Sequence, residues 1–136
     1  MISKHFEVHI YEQDAFEIEI NLTLPESKYI VATVLLSKAP MLIPRMLSLN
    51  FIEVDDELRR LGCARRLLQV ARKIAADKGF DGVVPHSDLS HDGASFWEAV
   101  DPKALRRILW HEGARQEAID HGCDPENFDA IFEAFA

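Results

Sequence analysis

The sequence predicts a mixed α/β fold of the α+β kind. It comprises a mostly antiparallel sheet, a central parallel strand–helix–strand unit, and a helical C-terminal segment. Three observations carry this. Four stretches before residue 55 show strand patterning with turn residues between them. Residues 47–84 run strand, amphipathic helix, strand, a crossover that sets its two strands parallel. Beyond Pro102 the apolar spacing becomes helical and stays so.

In chain order, Phe6, Val8 and Ile10 alternate with Glu7 and His9 to give a first strand, and Gln13-Asp14 turns it. Phe16, Ile18, Ile20, Leu22 and Leu24 alternate with polar residues, the pattern of a strand with one face on a core. After the turn Pro25-Glu-Ser-Lys28, residues 29–36 are β-branched and apolar almost throughout, which suits a central strand covered on both faces. Pro40 and Pro44 make residues 37–46 an irregular connection. Leu47, Leu49 and Phe51 alternate with Ser48 and Asn50 in a strand over 47–54.

Ala64, Leu67, Leu68, Ala71, Ile74 and Ala75 then recur at helical spacing, with arginines and Lys73 largely on the other face. A helix over 62–77 follows, closed by Lys78-Gly79, and Gly82-Val-Val84 is the second parallel strand. Ser90 or Asp92 caps a helix reaching Val100. Leu105, Ile108 and Leu109 mark one further helix and residues 114–121 a second. A third runs over 125–135, where Asp124-Pro125-Glu126 places proline in the first turn.

A chain of 136 residues supports one core, so a single domain over 1–136 is expected, with 101–136 a helical extension packed on it or on a partner. No apolar run approaches the roughly 20 residues needed to cross a bilayer, and the start has no secretory core. Cys63 and Cys123 form neither a disulfide framework nor a close metal pair, which agrees with a reduced, cytoplasmic setting. The formal net charge of -8 argues against broad nonspecific affinity for nucleic acid and leaves room for one local phosphate site.

Against that background one stretch reverses sign. Residues 57–73 hold six Arg or Lys and one acid. Within them Arg59-Arg60-Leu61-Gly62-Cys63-Ala64 joins the strand over 47–54 to its helix. A Gly-containing turn feeding a helix presents uncovered backbone N–H groups, and the helix N-terminus favours an anion. Leu61, Gly62, Cys63 and Ala64 can present such groups, and Arg59, Arg60 or Arg65 can add charge. The plainer reading is a cationic helix surface.

This strand, loop and helix resemble the acyl-CoA-binding motif of the GNAT superfamily of N-acetyltransferases. Arg59, Gly62 and Ala64 fill its specified places, and the resemblance covers about residues 29–100. Ser90, Gly93, Phe96 and Trp97 fall where the later helix of that family often has Asn, a small residue, an apolar residue and Tyr. The resemblance implies binding of acetyl-CoA or another acyl-CoA. Ile52, Glu53 and Val54 would meet the pantetheine arm, and Arg59, Arg60, Leu61, Gly62, Cys63, Ala64 and Arg65 the pyrophosphate. Phe96 and Trp97 complete the cofactor-binding set.

Acylation of an amine needs a base, and the departing thiolate accepts a proton. Glu53, matching a place where some family members carry a basic carboxylate, is the candidate base; an ordinary charged strand end is the alternative. Ser90 is a candidate polar contact, with Ser95 beside it. Trp97 stands where the family's acidic Tyr is frequent, and an indole N–H donates a hydrogen bond without usefully transferring a proton. His86, Asp88, His91 and Asp92 lie at spacings that fit no metal motif, so no metal is expected, and an acceptor-site loop is the better reading. His111, His121 and Cys123 read as structural, and Cys63 is expected to offer its backbone rather than a nucleophile.

Two departures from the family remain. The antiparallel pair after the last motif helix is replaced by helical patterning, and no helices separate the first two strands. The leading expectation is acetyl transfer to an amine of a small molecule or protein, by direct attack in a ternary complex. A catalytically silent CoA-binding or protein-interaction module, with the acidic tail meeting a partner or a second copy, is the alternative. Nucleic-acid modification or binding through the Arg-rich helix is a weaker one.

Overall fold

The computed structural model describes residues 6–12, 17–26, 29–37, 42–55 and 62–136. Among these, the alternating stretches form β1 (Glu7–Glu12), β2 (Glu17–Thr23), β3 (Ile30–Ser37) and β4 (Met46–Val54), and the short β5 (Gly82–Pro85) completes one sheet in the order β1-β2-β3-β4-β5. The first three junctions are antiparallel and β4–β5 is parallel, joined by α1 (Cys63–Asp77) as the crossover pattern predicts. Helices α2 (His91–Val100), α3 (Pro102–Leu109), α4 (Ala114–Asp120) and α5 (Pro125–Phe135) follow. The mixed, mostly antiparallel sheet with its parallel unit and helical C-terminal segment is the architecture the sequence predicts.

Strand alternation builds the first layer of the core. Ile18, Ile20 and Leu22 of β2 stand opposite Leu36, Val34 and Ala32 of β3. These in turn oppose Leu49, Ile52 and Val54 of β4. The apolar stripe of α1, with Leu67, Leu68, Ala71, Ile74 and Ala75 buried, covers this face. Each large side chain so buried contributes about 1.5–3 kcal/mol. Ile10 of β1 is on the same face beside Ile20, but at the sheet edge it stays 50% exposed. Phe16, the Gln13-Asp14 turn and Pro40 lie outside the described residues.

The other face corrects the expectation for β3. Cover on both faces was read from its composition, yet Thr33 and Leu35 are only half-buried. Here Thr33 Oγ1 donates to Asn21 Oδ1 at 2.7 Å, Asn21 Nδ2 donates to Glu19 Oε2 at 2.8 Å, and His9 Nε2 lies 3.0 Å from Thr23 Oγ1. Asn21 and Thr23 are buried, and these bonds satisfy them. Around Glu19, Asn21, Thr23 and Thr33 the second face thus carries polar, hydrogen-bonded side chains. The β-branched run of β3 is explained by its central position in the sheet.

β5 differs. Its successive residues Val83 and Val84 point to opposite faces and are both buried, because α1 lies on one side and α3 on the other. α3 supplies Ala104, Leu105, Ile108 and Leu109 to that second layer. Asp101 caps it through a bond from Ala104 N at 3.2 Å, with Pro102 in its first turn. α2 buries Ala94 and Trp97, and α5 buries Phe128 and Ile131.

β4 changes phase within itself. Leu49 pairs with Leu36 but Phe51 pairs with Leu35, so Asn50 is the extra residue of a bulge. The simple alternation expected over 47–54 breaks there. Leu47 and Leu49 before the bulge, and Ile52 and Val54 after it, share the inward face although their parity differs. Below the bulge β4 belongs to the sheet on both sides; above it, to β3 alone among the described strands.

Candidate functional site

Where β4 and β5 part, a cleft forms. Their pairing runs only from Met46 with Gly82 to Leu49 with Pro85, and one further bond, His86 N to Leu49 O at 3.0 Å, closes the fork. Pro85 has no N–H to continue the ladder, and the bulge at Asn50 turns β4 away. The resulting cavity, about 900 Å³, runs along Asn50, Ile52, Glu53 and Val54 of β4 to Ala64 at the start of α1. Its other wall is the segment from His86 to Gly93 with Phe96 and Trp97 of α2, and Asn127 of α5 adds to the rim.

The exposed edge of β4 is readable from two bonds. Leu49 O accepts from the β5 side, whereas Asp55 N donates to Val31 O of β3 at 2.8 Å. Alternation through the bulge then turns the backbone N–H and C=O groups of Ile52 and Val54 toward the cleft. No described strand pairs with them there. An extended ligand with amide groups can therefore bond to β4 as an added strand would.

The edge leads to the N-terminus of α1. Gly62 is its N-cap, at φ 75° and ψ 19°, a left-handed conformation natural to glycine. With no side chain, Gly62 cannot accept from the first N–H groups of the helix. The first turn contains no acid but holds Arg65 and Arg66, both exposed, the reverse of the usual preference for negative charge at this end. Ala64 lines the cleft; Cys63 is buried at 1% exposure, and burial pushes its thiol up, away from a thiolate. Further along, Arg72 pairs with Asp101 at 2.8 Å and Lys73 with Asp77 at 3.4 Å. Arg59, Arg60 and Leu61 lie outside the described residues.

Of the other residues singled out in the sequence, Ile52, Glu53, Val54, Ser90, Gly93, Phe96 and Trp97 line one cavity, and Arg65 lies outside its lining. Ile52 and Val54 are half-buried and Glu53 is exposed, on the face of β4 that register aligns with Thr33. Ser90 caps α2, its Oγ accepting from Gly93 N at 3.0 Å. Phe96 is half-buried and stands edge-on to Trp97, their ring centroids 6.1 Å apart. Trp97, 1% exposed, is both cleft wall and core. Ser95 is exposed and is not among the cleft-lining residues.

His86, Asp88, His91 and Asp92, expected as an acceptor-site loop, all line the cleft; His86 sits at the fork, and the His91 ring stands against Phe135, centroids 5.3 Å apart. Sequence reasoning missed Glu117, the partner of His86 and Ser87. His86 Nδ1 accepts from Asp88 N at 3.0 Å, its Nε2 lies 3.6 Å from Glu117 Oε1, and the His121 ring stands edge-on at 4.5 Å.

Burial holds His86 below the ordinary histidine value; Glu117 and Asp88 oppose the shift and His121 adds to it. The folded chain thus resists protonation more than the unfolded one. This contribution to stability is complete above the ordinary value of 6.5 and is lost as pH falls through the lower folded value. Urea midpoints are expected to drop between neutral pH and about pH 5, with a shallower drop in His86→Gln. Equal slopes in both proteins would assign the effect elsewhere.

No family model and no curated protein matches this sequence. Solved structures share the fold, two acetyltransferases among them. One is a ribosomal-protein-alanine N-acetyltransferase from Brucella melitensis biovar Abortus 2308, with TM-score 0.53 and 19% identity over 65% of this chain and 66% of that one. The other is an acetyltransferase from Trypanosoma brucei, with TM-score 0.50 and 22% identity over 64% of this chain and 62% of that one. The chain spans just under two thirds of the length of either.

Proposed function

We propose that this chain is a GNAT-type protein that binds acetyl-CoA in the β4–β5 cleft and transfers its acetyl group to an amine. One observation carries the reading: a β4 edge with no partner among the described strands shares its cleft with a cationic helix start that has no capping side chain. An extended arm carrying amides and ending in a pyrophosphate matches both parts in sequence. The fold shared with two acetyltransferases supports it.

Bound acetyl-CoA supplies an activated acetyl thioester. The chain's own residues do the rest. Ile52 and Val54 hold the pantetheine arm by backbone bonds, fixing the reacting group near the fork. N–H groups of Cys63, Ala64 and Arg65 receive the pyrophosphate, with Arg65 adding charge, and Arg59, Arg60 and Leu61 complete the loop in this proposal. Phe96 and Trp97 exclude water from the arm. Glu53 takes the proton from the attacking amine, and Ser90, engaged as a cap, offers at most a polar contact. The acceptor is an amine of a small molecule or protein.

The second reading, a silent binding module, has one observation in its favour. Trp97 stands where the family often has Tyr, and at 1% exposure it is wall rather than proton donor. Calorimetric titration with acetyl-CoA tests the shared claim, and absence of binding at millimolar ligand overturns it. Thioester turnover with amine and peptide acceptors then separates the two. Glu53→Gln is expected to lower turnover by about 10²–10⁴-fold at neutral pH with little change in acetyl-CoA affinity. Unchanged turnover removes Glu53 as the base.

A further inference from the structure

The segment between β5 and α2 forms one wall of the cleft, and the helical tail grips it at four places. Ser87 Oγ donates to Glu117 Oε1 of α4 at 2.6 Å. His121, just past α4, meets the His86 ring. Asn127 Nδ2 of α5 donates to Leu89 O at 3.3 Å, and Phe135 meets His91. Ser87 is 1% exposed, so its hydroxyl needs an internal partner, and Glu117 is that partner. Contacts of this density are more than a tail resting on a surface requires.

The geometry also fixes a tautomer. His86 Nδ1 accepts the Asp88 N–H, so a neutral ring carries its proton on Nε2, toward the Glu117 carboxylate. At 3.6 Å this N–H is too far from Oε1 for a hydrogen bond, and it meets the carboxylate, which Ser87 already bonds, as a favourably oriented dipole. A second proton on His86 could go only to Nδ1, where it would face the Asp88 N–H, donor against donor. Protonating His86 therefore breaks the turn that shapes the wall.

From this arrangement we infer that Glu117 is a positioning residue for the cleft, holding Ser87 and His86 in place so that the α4–α5 segment serves as a structural wall of the binding site. The inference rests on the acetyl-CoA reading for its consequence, and on the Ser87–Glu117–His86 contacts for its geometry. The groups facing His86 are Glu117 and His121 from the tail and Asp88 from its own loop. Removing the Glu117 charge removes a group that favours the protonated ring, so His86 should titrate at still lower pH.

Wild type, Glu117→Gln and Glu117→Ala, as full chains, decide the matter by nitrogen NMR of labelled histidine rings and by calorimetry with acetyl-CoA. Wild type is expected to show the Nε2–H tautomer at neutral pH. Glu117→Gln keeps an oxygen for Ser87 and should shift the His86 titration to the acid side. The fall of acetyl-CoA affinity with acidification should move with it. Glu117→Ala should mix the two tautomers and weaken acetyl-CoA about tenfold. An unmoved His86 titration in Glu117→Gln overturns the inference, as does unchanged affinity in Glu117→Ala. Should the alanine variant not fold, the glutamine variant decides alone. Wild type that fails to bind acetyl-CoA while its His86 titration moves on substitution would sink the functional reading and leave the positioning role standing. Binding with no such movement would do the reverse.

Discussion

Trp97→Ala is expected to cost about 3–5 kcal/mol of folding stability. Trp97 is 1% exposed and is the largest of the fully buried side chains among the described residues. It lies where α2 meets the cleft wall, with Phe96 edge-on beside it, so its removal leaves a void between core and cleft. A small domain has about 5–15 kcal/mol to lose, so the variant should unfold at much lower urea. Trp97→Phe keeps most of the ring volume and should cost clearly less. A shift under about 1 kcal/mol in the alanine variant would show that Trp97 is not part of the core.

Gly62→Val should weaken acetyl-CoA binding by at least about tenfold. Among the described residues a Cβ at Gly62 meets nothing within 4 Å, so crowding by them is not the cause. The loss comes from the backbone: a φ of 75° is unfavourable for a β-branched residue by about 1–2 kcal/mol or more. The chain relieves that strain by turning the first N–H groups of α1 away from the cleft. Gly62→Asn, which tolerates this conformation, should lose much less. Lys73→Ala is the control, since Lys73 is exposed in the later half of α1, pairs with Asp77 and does not line the cleft. Losses of equal size in Gly62→Val and Lys73→Ala would remove the loop from the site. Calorimetry with acetyl-CoA measures all three.

The order of elements was legible because it depends on local pattern. Alternation at Ile18, Ile20 and Leu22 and the helical spacing of Leu67, Leu68, Ala71 and Ile74 each report one covered face. The Ser90 and Asp124 caps were legible for the same reason, since each bonds to a backbone N–H two or three residues on. The bulge was only half visible. Apolar residues at 47 and 49 and again at 52 and 54 break parity at Asn50, a signal that simple alternation through Phe51 conceals. The polar face of the sheet was hidden because a β-branched run states that a strand is central, not what covers it. Glu117 and His86 were invisible as a pair. Thirty-one positions separate them, and only the packing of α4 on the β5–α2 segment joins them.

The uneven cover of the sheet has a thermodynamic consequence. Over β2 and β3 one face carries α1 and the other carries polar, hydrogen-bonded side chains around Asn21, while β5 is sandwiched between α1 and α3. The cleft opens at the sandwiched end, between a strand tied to β3 and a loop tied to the tail. A ligand entering there meets walls whose side chains are already ordered by the fold. Little conformational freedom remains to be lost on binding, so more of the contact energy appears as affinity.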